Sequence, residues 1–161
     1  MGLDITAYRK LKVVKNPVLD EYGDPEEYDT QWKPGESMKW SEKHFEGRGQ
    51  GINADTVYEF EEEDKYRFRA GSYIRYNWWR LQLEKFKGNV AFQELIDFAD
   101  NEGVIGPIVS TKLHSDFYDH LNEAEEYSKT LGEDGEWWLE KYKSWMKAFE
   151  YASDNGAVDF H

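Results

Sequence analysis

The order of its predicted elements assigns this chain to the α+β class. Alternating, extended segments occupy the first half of the sequence, helical periodicities fill the second half, and a short apolar segment at 157–160 follows the last helix. Because strands come first and helices afterwards, we expect a mostly antiparallel sheet built from the N-terminal strands and a C-terminal strand, with about four helices packed on one side. No internal repeat or linker interrupts residues 1–161, which indicates a single domain.

The strands are predicted from alternation and from turn residues. Asn16-Pro17 ends the first strand, and a turn at 20–25 leads into an extended segment, so that a long hairpin is expected. The three glycines between Gly47 and Gly51 place a loop over 41–51. The extended segments are predicted at 3–14, 28–32, 56–60, 66–70 and 157–160.

The helices are predicted from apolar residues that recur three or four positions apart. The last helix has the clearest pattern, and Asn155-Gly156 ends it. Asn77 is the expected cap of the first helix, and Pro107 is well placed as the first residue of the third. The four helices are predicted at 77–87, 92–99, 107–129 and 134–155.

Composition excludes several functional classes. The net charge of −13 opposes general affinity for nucleic acid or anionic lipid. The chain has no cysteine, no signal-peptide pattern and no membrane-spanning apolar run, so we expect a cytoplasmic protein that neither enters membranes nor binds nucleic acid. Although the mean hydropathy is −0.90, the 27 aromatic residues supply enough apolar surface for a folded core.

Arginine and aromatic residues are concentrated between Lys65 and Leu83, where the acidic chain carries no carboxylate. Four of the six arginines fall within fourteen residues of this segment. Because a guanidinium pairs with phosphate and stacks on flat rings, the mixture predicts a pocket for a nucleotide-like anion. The candidate ligand-binding residues are Arg69, Arg75 and Arg80 for phosphate, Tyr73, Tyr76 and Trp78 for stacking, and Arg48 and His161 as further contributors. The alternative is structural: the arginines pair with the abundant carboxylates, and the aromatic residues, Trp79 foremost, form the core.

Other chemistry-bearing patterns are weaker. The glycine-rich loop around Arg48 could approach a phosphate, but no phosphate-loop lysine and serine follow it. Carboxylates and histidines between 97 and 120 lack a metal-ligand spacing, so no metal or cofactor is expected. Without cysteine or a nucleophile-elbow serine, we expect a protein that is not an enzyme.

Four segments resemble a family of small uncharacterised proteins encoded by bacteriophages and prophages. The segments are MGLDITAY at 1–8, FRAGSY at 68–73, ELIDFADNEGVIGP at 94–107 and GAVDFH at 156–161. The resemblance implies a phage accessory protein in the cytoplasm of a bacterial host. Such a protein would counter bacterial immunity by sequestering a nucleotide signal or by blocking a defence protein.

Two hypotheses follow from the sequence. The first is a binder that sequesters a nucleotide-like anionic small molecule, such as a bacterial immune signal. The rival is an acidic inhibitor or DNA mimic that presents its carboxylates at 20–36 and 59–64 to a host defence protein. Exposed aromatic residues could also form the seam of a homo-oligomer.

Overall fold

The computed structural model describes all residues from Met1 to His161 and contains two antiparallel sheets and six α-helices, one of them a single turn. The strands are β1 (Gly2–Tyr8), β2 (Lys12–Val13), β3 (Gln31–Trp32), β4 (Tyr58–Glu59), β5 (Lys65–Ser72), β6 (Gly103–Ile105) and β7 (Ala157–Phe160). The helices are α1 (Gly35–His44), α2 (Tyr73–Lys87), α3 (Gln93–Ile96), α4 (Pro107–Asp119), α5 (Leu121–Ser128) and α6 (Gly135–Ser153). No helix is long and apolar enough to cross a membrane.

The large sheet has four strands in the order β5-β1-β7-β6, and every neighbouring pair is antiparallel. The first strand of the chain therefore lies at the centre, between an early strand and the C-terminal strand. This arrangement confirms the predicted α+β class, with N-terminal strands and a C-terminal strand in one antiparallel sheet.

The inner face of this sheet supports the main core. Leu3, Ile5 and Ala7 alternate along β1 toward the helices, and all three are fully buried. Trp79 and Trp138 join α2 to α6, since each indole N–H donates to the other residue's carbonyl oxygen at 3.0 and 3.2 Å. Their reciprocal bonds satisfy two buried indole donors and fix the spacing of the two helices.

The outer face of the large sheet is only partly covered. The small sheet, in the order β2-β4-β3, and α1 pack over the half that contains Tyr8, Val104 and Ala157, which we call the upper half. A second core of seven buried residues forms there. The lower half has no layer above it. Its outward-facing positions are polar and form the floor of the cleft described below.

Several element boundaries differ from the sequence prediction for local reasons. The first strand ends at Tyr8 because Lys10 adopts a left-handed conformation with φ +54°, which turns the chain toward the small sheet. The hairpin expected between the extended segments 3–14 and 28–32 does not form, because β4 lies between β2 and β3 and pairs with each of them. The predicted loop at 41–51 begins later, because α1 runs to His44.

The helical segments also differ in detail. The helix expected at 107–129 is divided at His120 into α4 and α5. Ser72, instead of Asn77, caps α2: its side chain accepts from the Arg75 backbone N–H at 3.1 Å, so the helix begins one turn early, directly after β5.

Candidate ligand cleft on the outer face of the sheet

The arginine and aromatic cluster is divided between the two faces of the large sheet. Alternation along β5 turns Lys65, Arg67 and Arg69 to the outer face, while Tyr66 and Phe68 pack against α6 on the inner face. The following helix, α2, belongs to the inner layer. The side chains that it carries therefore lie across the sheet from the β5 arginines.

Arg75 is held by neighbours within the fold. Its guanidinium lies 4.2 Å from the Trp137 ring and 5.3 Å from the Trp78 ring, and it donates to Asp134 at 3.3 Å. Trp78 is partly buried and packs against Trp137, and Tyr73 is partly buried against the main core. Arg75, Trp78 and Trp137 therefore stack on one another between α2 and the start of α6, and no cavity opens among them.

Arg80 and Tyr76 also have structural surroundings. Arg80 donates to the carbonyl oxygens of Phe98 and Leu95 and to the Asn77 side chain, so it fastens the chain after α3 to α2. Tyr76 is fully buried beneath that guanidinium, in the main core. Burial raises the pKa of its phenol.

The glycine-rich loop directs its amides inward. Both Gly47 and Gly49 donate backbone N–H groups to the Glu42 carboxylate. Arg48 donates from Nε to the Glu94 carbonyl oxygen at 2.9 Å, and its own carbonyl accepts from the Gly106 N–H at 2.8 Å. The loop thus packs at the end of β6, and the amides of Gly47 and Gly49 are occupied by the Glu42 carboxylate.

A cleft of about 310 Å³ lies on the lower outer face, where the small sheet ends. Strands β1, β5 and β7 form its floor, and the segment around Tyr28 forms one wall. The lining residues are Thr6, Tyr8, Tyr28, Asp29, Phe60, Lys65, Arg67, Asp159 and His161. Of the eight predicted ligand-binding residues, one, His161, is among them.

Sheet register places three of the polar groups in one row. Thr6 on β1 lies opposite Arg67 on β5 and opposite Asp159 on β7. Because strands are spaced about 4.8 Å apart, the outer two members of the row are about 10 Å apart at their backbones. His161 lies two positions beyond Asp159, on the same face, and about 7 Å along the strand direction. Arg67, Asp159 and His161 therefore surround a space suitable for a small ligand.

Arg67 is the one arginine in the chain without a partner. Arg9, Arg69 and Arg75 form ion pairs, and Arg48 and Arg80 donate to carbonyl oxygens. The exposed side chain of Arg67 has no hydrogen bond and no ion pair, although it lies in a protein with 33 acidic residues. All its donors therefore remain available in the cleft.

Thr6 positions His161. A hydrogen bond of 2.8 Å joins Thr6 Oγ1 and His161 Nε2, and paired backbone bonds of 2.8 and 2.9 Å join the residue to Asp4. With Nε2 occupied, Nδ1 is the ring nitrogen left for another partner. Burial lowers the pKa of His161 and Arg67 acts in the same direction, while Asp4 opposes them.

Asp159 is the unusual carboxyl of the cleft. Burial raises its pKa from 3.8 to about 7, and hydrogen bonding from the Trp32 indole opposes this effect only in part. Tyr8, beside it, has a raised pKa because of burial and of the Asp159 charge, so its phenol stays neutral. Near neutral pH a substantial share of the Asp159 carboxyl groups carries a proton and can donate a hydrogen bond.

Sequence reasoning missed the larger part of this cleft. Arg67 was inside the predicted cluster but was not selected, because its lack of a partner depends on which residues lie opposite it. Asp159 carries a readable signal, since it is the one charged residue in the otherwise apolar strand 157–160. Comparison of the chain with protein-family models, curated proteins and solved structures finds no match.

Proposed function

We propose that the protein binds a small, anionic, nucleotide-like molecule in the outer-face cleft. The observation that carries the proposal is Arg67, an unpaired guanidinium in a cleft of an otherwise acidic protein. An unpartnered arginine can bind a phosphate bidentately, and Lys65 and the Thr6 hydroxyl lie near it on the same floor. The proposal keeps the ligand class inferred from the sequence and moves the site from α2 to the sheet.

The charge balance of the cleft favours an anion when Asp159 is protonated. Lys65 and Arg67 line the cleft together with one other carboxylate, Asp29; Glu62 pairs with Lys65 at 3.4 Å, so Arg67 is the cation left unneutralised there, within a molecule of net charge −13. Tyr28 is 77% exposed at the wall and supplies a free aromatic face for a base. The volume of about 310 Å³ is at the lower end of small-molecule sites, which span about 300–1,000 Å³.

Isothermal titration calorimetry tests this proposal, with adenosine monophosphate and a cyclic adenosine dinucleotide as probes. Replacing Arg67 by Ala removes a charge-assisted pair and should weaken binding by about 1.5–3 kcal/mol, or about 10- to 150-fold. Arg75→Ala is the matched control, because Arg75 lies across the sheet and pairs with Asp134. Equal affinities of Arg67→Ala and the parent chain, or no binding of either probe by the parent, would reject the cleft as this site.

The biological role that we propose is sequestration of a bacterial immune signal by a phage-encoded protein, and it depends on the resemblance described above. Native mass spectrometry of the protein after incubation with lysate of phage-infected bacteria tests it. A retained small mass with a nucleotide absorbance spectrum is the expected result. An empty protein, in a lysate in which such signals are detected, argues against sequestration.

One observation favours the rival proposal of an acidic interaction protein. The exposed segment 20–29 carries six carboxylates, and none of them forms an ion pair with a cation of this chain. A basic host protein would meet these charges unneutralised, and its binding would depend steeply on salt. Charge reversal at Glu26 and Glu27 that left such binding intact would rule out this surface.

A further inference from the structure

An imidazole, a carboxyl group and a guanidinium line the outer-face cleft together. One ring nitrogen of His161 is hydrogen-bonded to Thr6, and the other has no partner. Asp159 lies two positions away on the same face. Arg67 lies on that face too, two strands from Asp159, and its side-chain donors have no partner. A ligand phosphate bound at Arg67 would lie on the same face as the imidazole and the carboxyl, which stand two strands away on the β7 side of the cleft. Binding of an anion at Arg67 does not by itself require His161 or Asp159.

We infer that the cleft hydrolyses a phosphate diester, with His161 as the general base, Asp159 as the general acid and Arg67 as the group that holds the phosphate. The inference rests on the proposed function, because it concerns the same anionic ligand in the same cleft. It also replaces the expectation from the sequence that the protein is not an enzyme.

The step balances without a redox partner. His161 Nδ1 takes a proton from water as the water oxygen forms a bond to phosphorus. The bond from phosphorus to the leaving alkoxide breaks, and Asp159 gives its proton to that oxygen. The products are a phosphate monoester and an alcohol, and exchange with solvent returns the proton from the imidazole to the carboxyl.

The spacing of the acid and the base suits this reaction. Alternate residues on one face of a strand are about 7 Å apart. In inverting glycosidases, where an acid and a base also flank the reacting centre and an attacking water, the two carboxyl groups are about 6.5–9.5 Å apart. The backbones of Asp159 and His161 are about this far apart. A direct contact between them would leave no room for the substrate and the water.

The protonation states also fit these roles near neutral pH. A base must be free of its proton and an acid must carry one, which requires a low pKa for the imidazole and a high pKa for the carboxyl; burial produces both. Arg67 and Asp4 face His161. The groups that face Asp159 are Thr6 and Tyr8 from β1, Lys65 and Arg67 from β5, Trp32 from β3, Tyr28 and Asp29 from the wall, and His161.

Two diesters with different leaving groups test the inference on the full chain. Thymidylyl-thymidine lacks a 2′-hydroxyl, so water must attack, and its alcohol leaving group needs an acid. Bis(para-nitrophenyl) phosphate has a leaving group that departs without one. We expect Asp159→Asn to slow cleavage of the dinucleotide by about a hundredfold to ten-thousandfold and that of the activated diester by less than about tenfold.

His161→Gln should slow both substrates by about a hundredfold to ten-thousandfold. The parent protein should show a bell-shaped pH dependence of kcat/KM, and Asp159→Asn should remove its alkaline limb. Arg75→Ala is the control and should match the parent, because this residue lies on the other side of the sheet. Circular dichroism of each variant checks that the fold is retained.

Calorimetric binding of thymidylyl-thymidine separates this inference from the proposed function. If the parent protein binds the dinucleotide and cleaves neither diester, the acid–base assignment is wrong and the binding proposal stands. If both diesters are cleaved but Asp159→Asn slows them equally, the carboxyl is not the acid and the inference is overturned. Absence of both binding and cleavage of thymidylyl-thymidine overturns the inference, and the binding proposal is then decided by the adenosine probes named above.

Discussion

Replacement of Asp159 by Asn should change how the stability of the protein depends on pH. The folded protein holds this carboxyl with a pKa of about 7, whereas the unfolded chain has the ordinary value near 3.8. Between these two values the unfolded state releases a proton that the folded state retains. The free energy of unfolding therefore falls as pH rises through this window, and the loss is complete above the folded pKa.

The size of the effect follows from the two pKa values. Their difference corresponds to about 4 kcal/mol, of which about 1.6 kcal/mol is lost below pH 5 and about 2.5 kcal/mol between about pH 5 and about pH 8. The side chain lines a cleft that is open to water, which screens part of this energy. We expect about 1–2 kcal/mol in the measurable window.

Urea unfolding of the parent and of Asp159→Asn at a series of pH values from about 5 to about 8.5 measures this contribution. The amide has nearly the same shape as the carboxyl and does not titrate, so the difference between the two proteins cancels the other titrating groups. The parent should lose about 1–2 kcal/mol relative to the variant across the series and level off above about pH 8. A difference that stays constant would mean that the carboxyl is ionised throughout, and would refute the reasoning.

Three further substitutions test the framework around the cleft. Ser72→Ala removes the α2 cap and should reduce the free energy of unfolding by about 1 kcal/mol in urea. Gly156→Ala places a Cβ against the Tyr8 carbonyl oxygen and should destabilise by about 1–3 kcal/mol; a thermal midpoint equal to that of the parent would contradict this. Arg80→Ala should reduce stability by about 1.5–3 kcal/mol, because two backbone carbonyls lose their donor, and should leave nucleotide affinity unchanged in calorimetry.

The fold class was predictable because its signals are local. The periodicity of Trp138, Tyr142 and Trp145 and the alternation of Leu3 and Ile5 each fix an element before any tertiary contact is known. Pairing was not predictable in the same way. The short strand β4 pairs with β2 and β3 because all three cover the upper outer face around Tyr8, and no turn sequence between them records that contact.

The cluster of arginines shows why closeness in sequence does not give closeness in space. The chain passes directly from β5 into α2 at Ser72, so Arg69 and Arg75, six positions apart, lie on opposite sides of the sheet. Alternation along β5 does predict from the sequence that Arg67 and Arg69 face away from Tyr66 and Phe68. What the sequence does not contain is the register that sets Asp4 opposite Arg69 and leaves the neighbouring Arg67 opposite Thr6, which cannot neutralise it.

The same burial that suits Asp159 to donate a proton makes it costly to the fold. Above about pH 7 the carboxyl ionises in a partly desolvated site, so Asp159→Asn should be more stable than the parent there, while losing the acid that we propose for cleavage of a diester with an alcohol leaving group. A residue that only filled space would show no such opposition between stability and chemistry. A variant that is more stable and less active at one position therefore marks a group retained for its reactivity, and this distinguishes the cleft from an accidental gap beneath the small sheet.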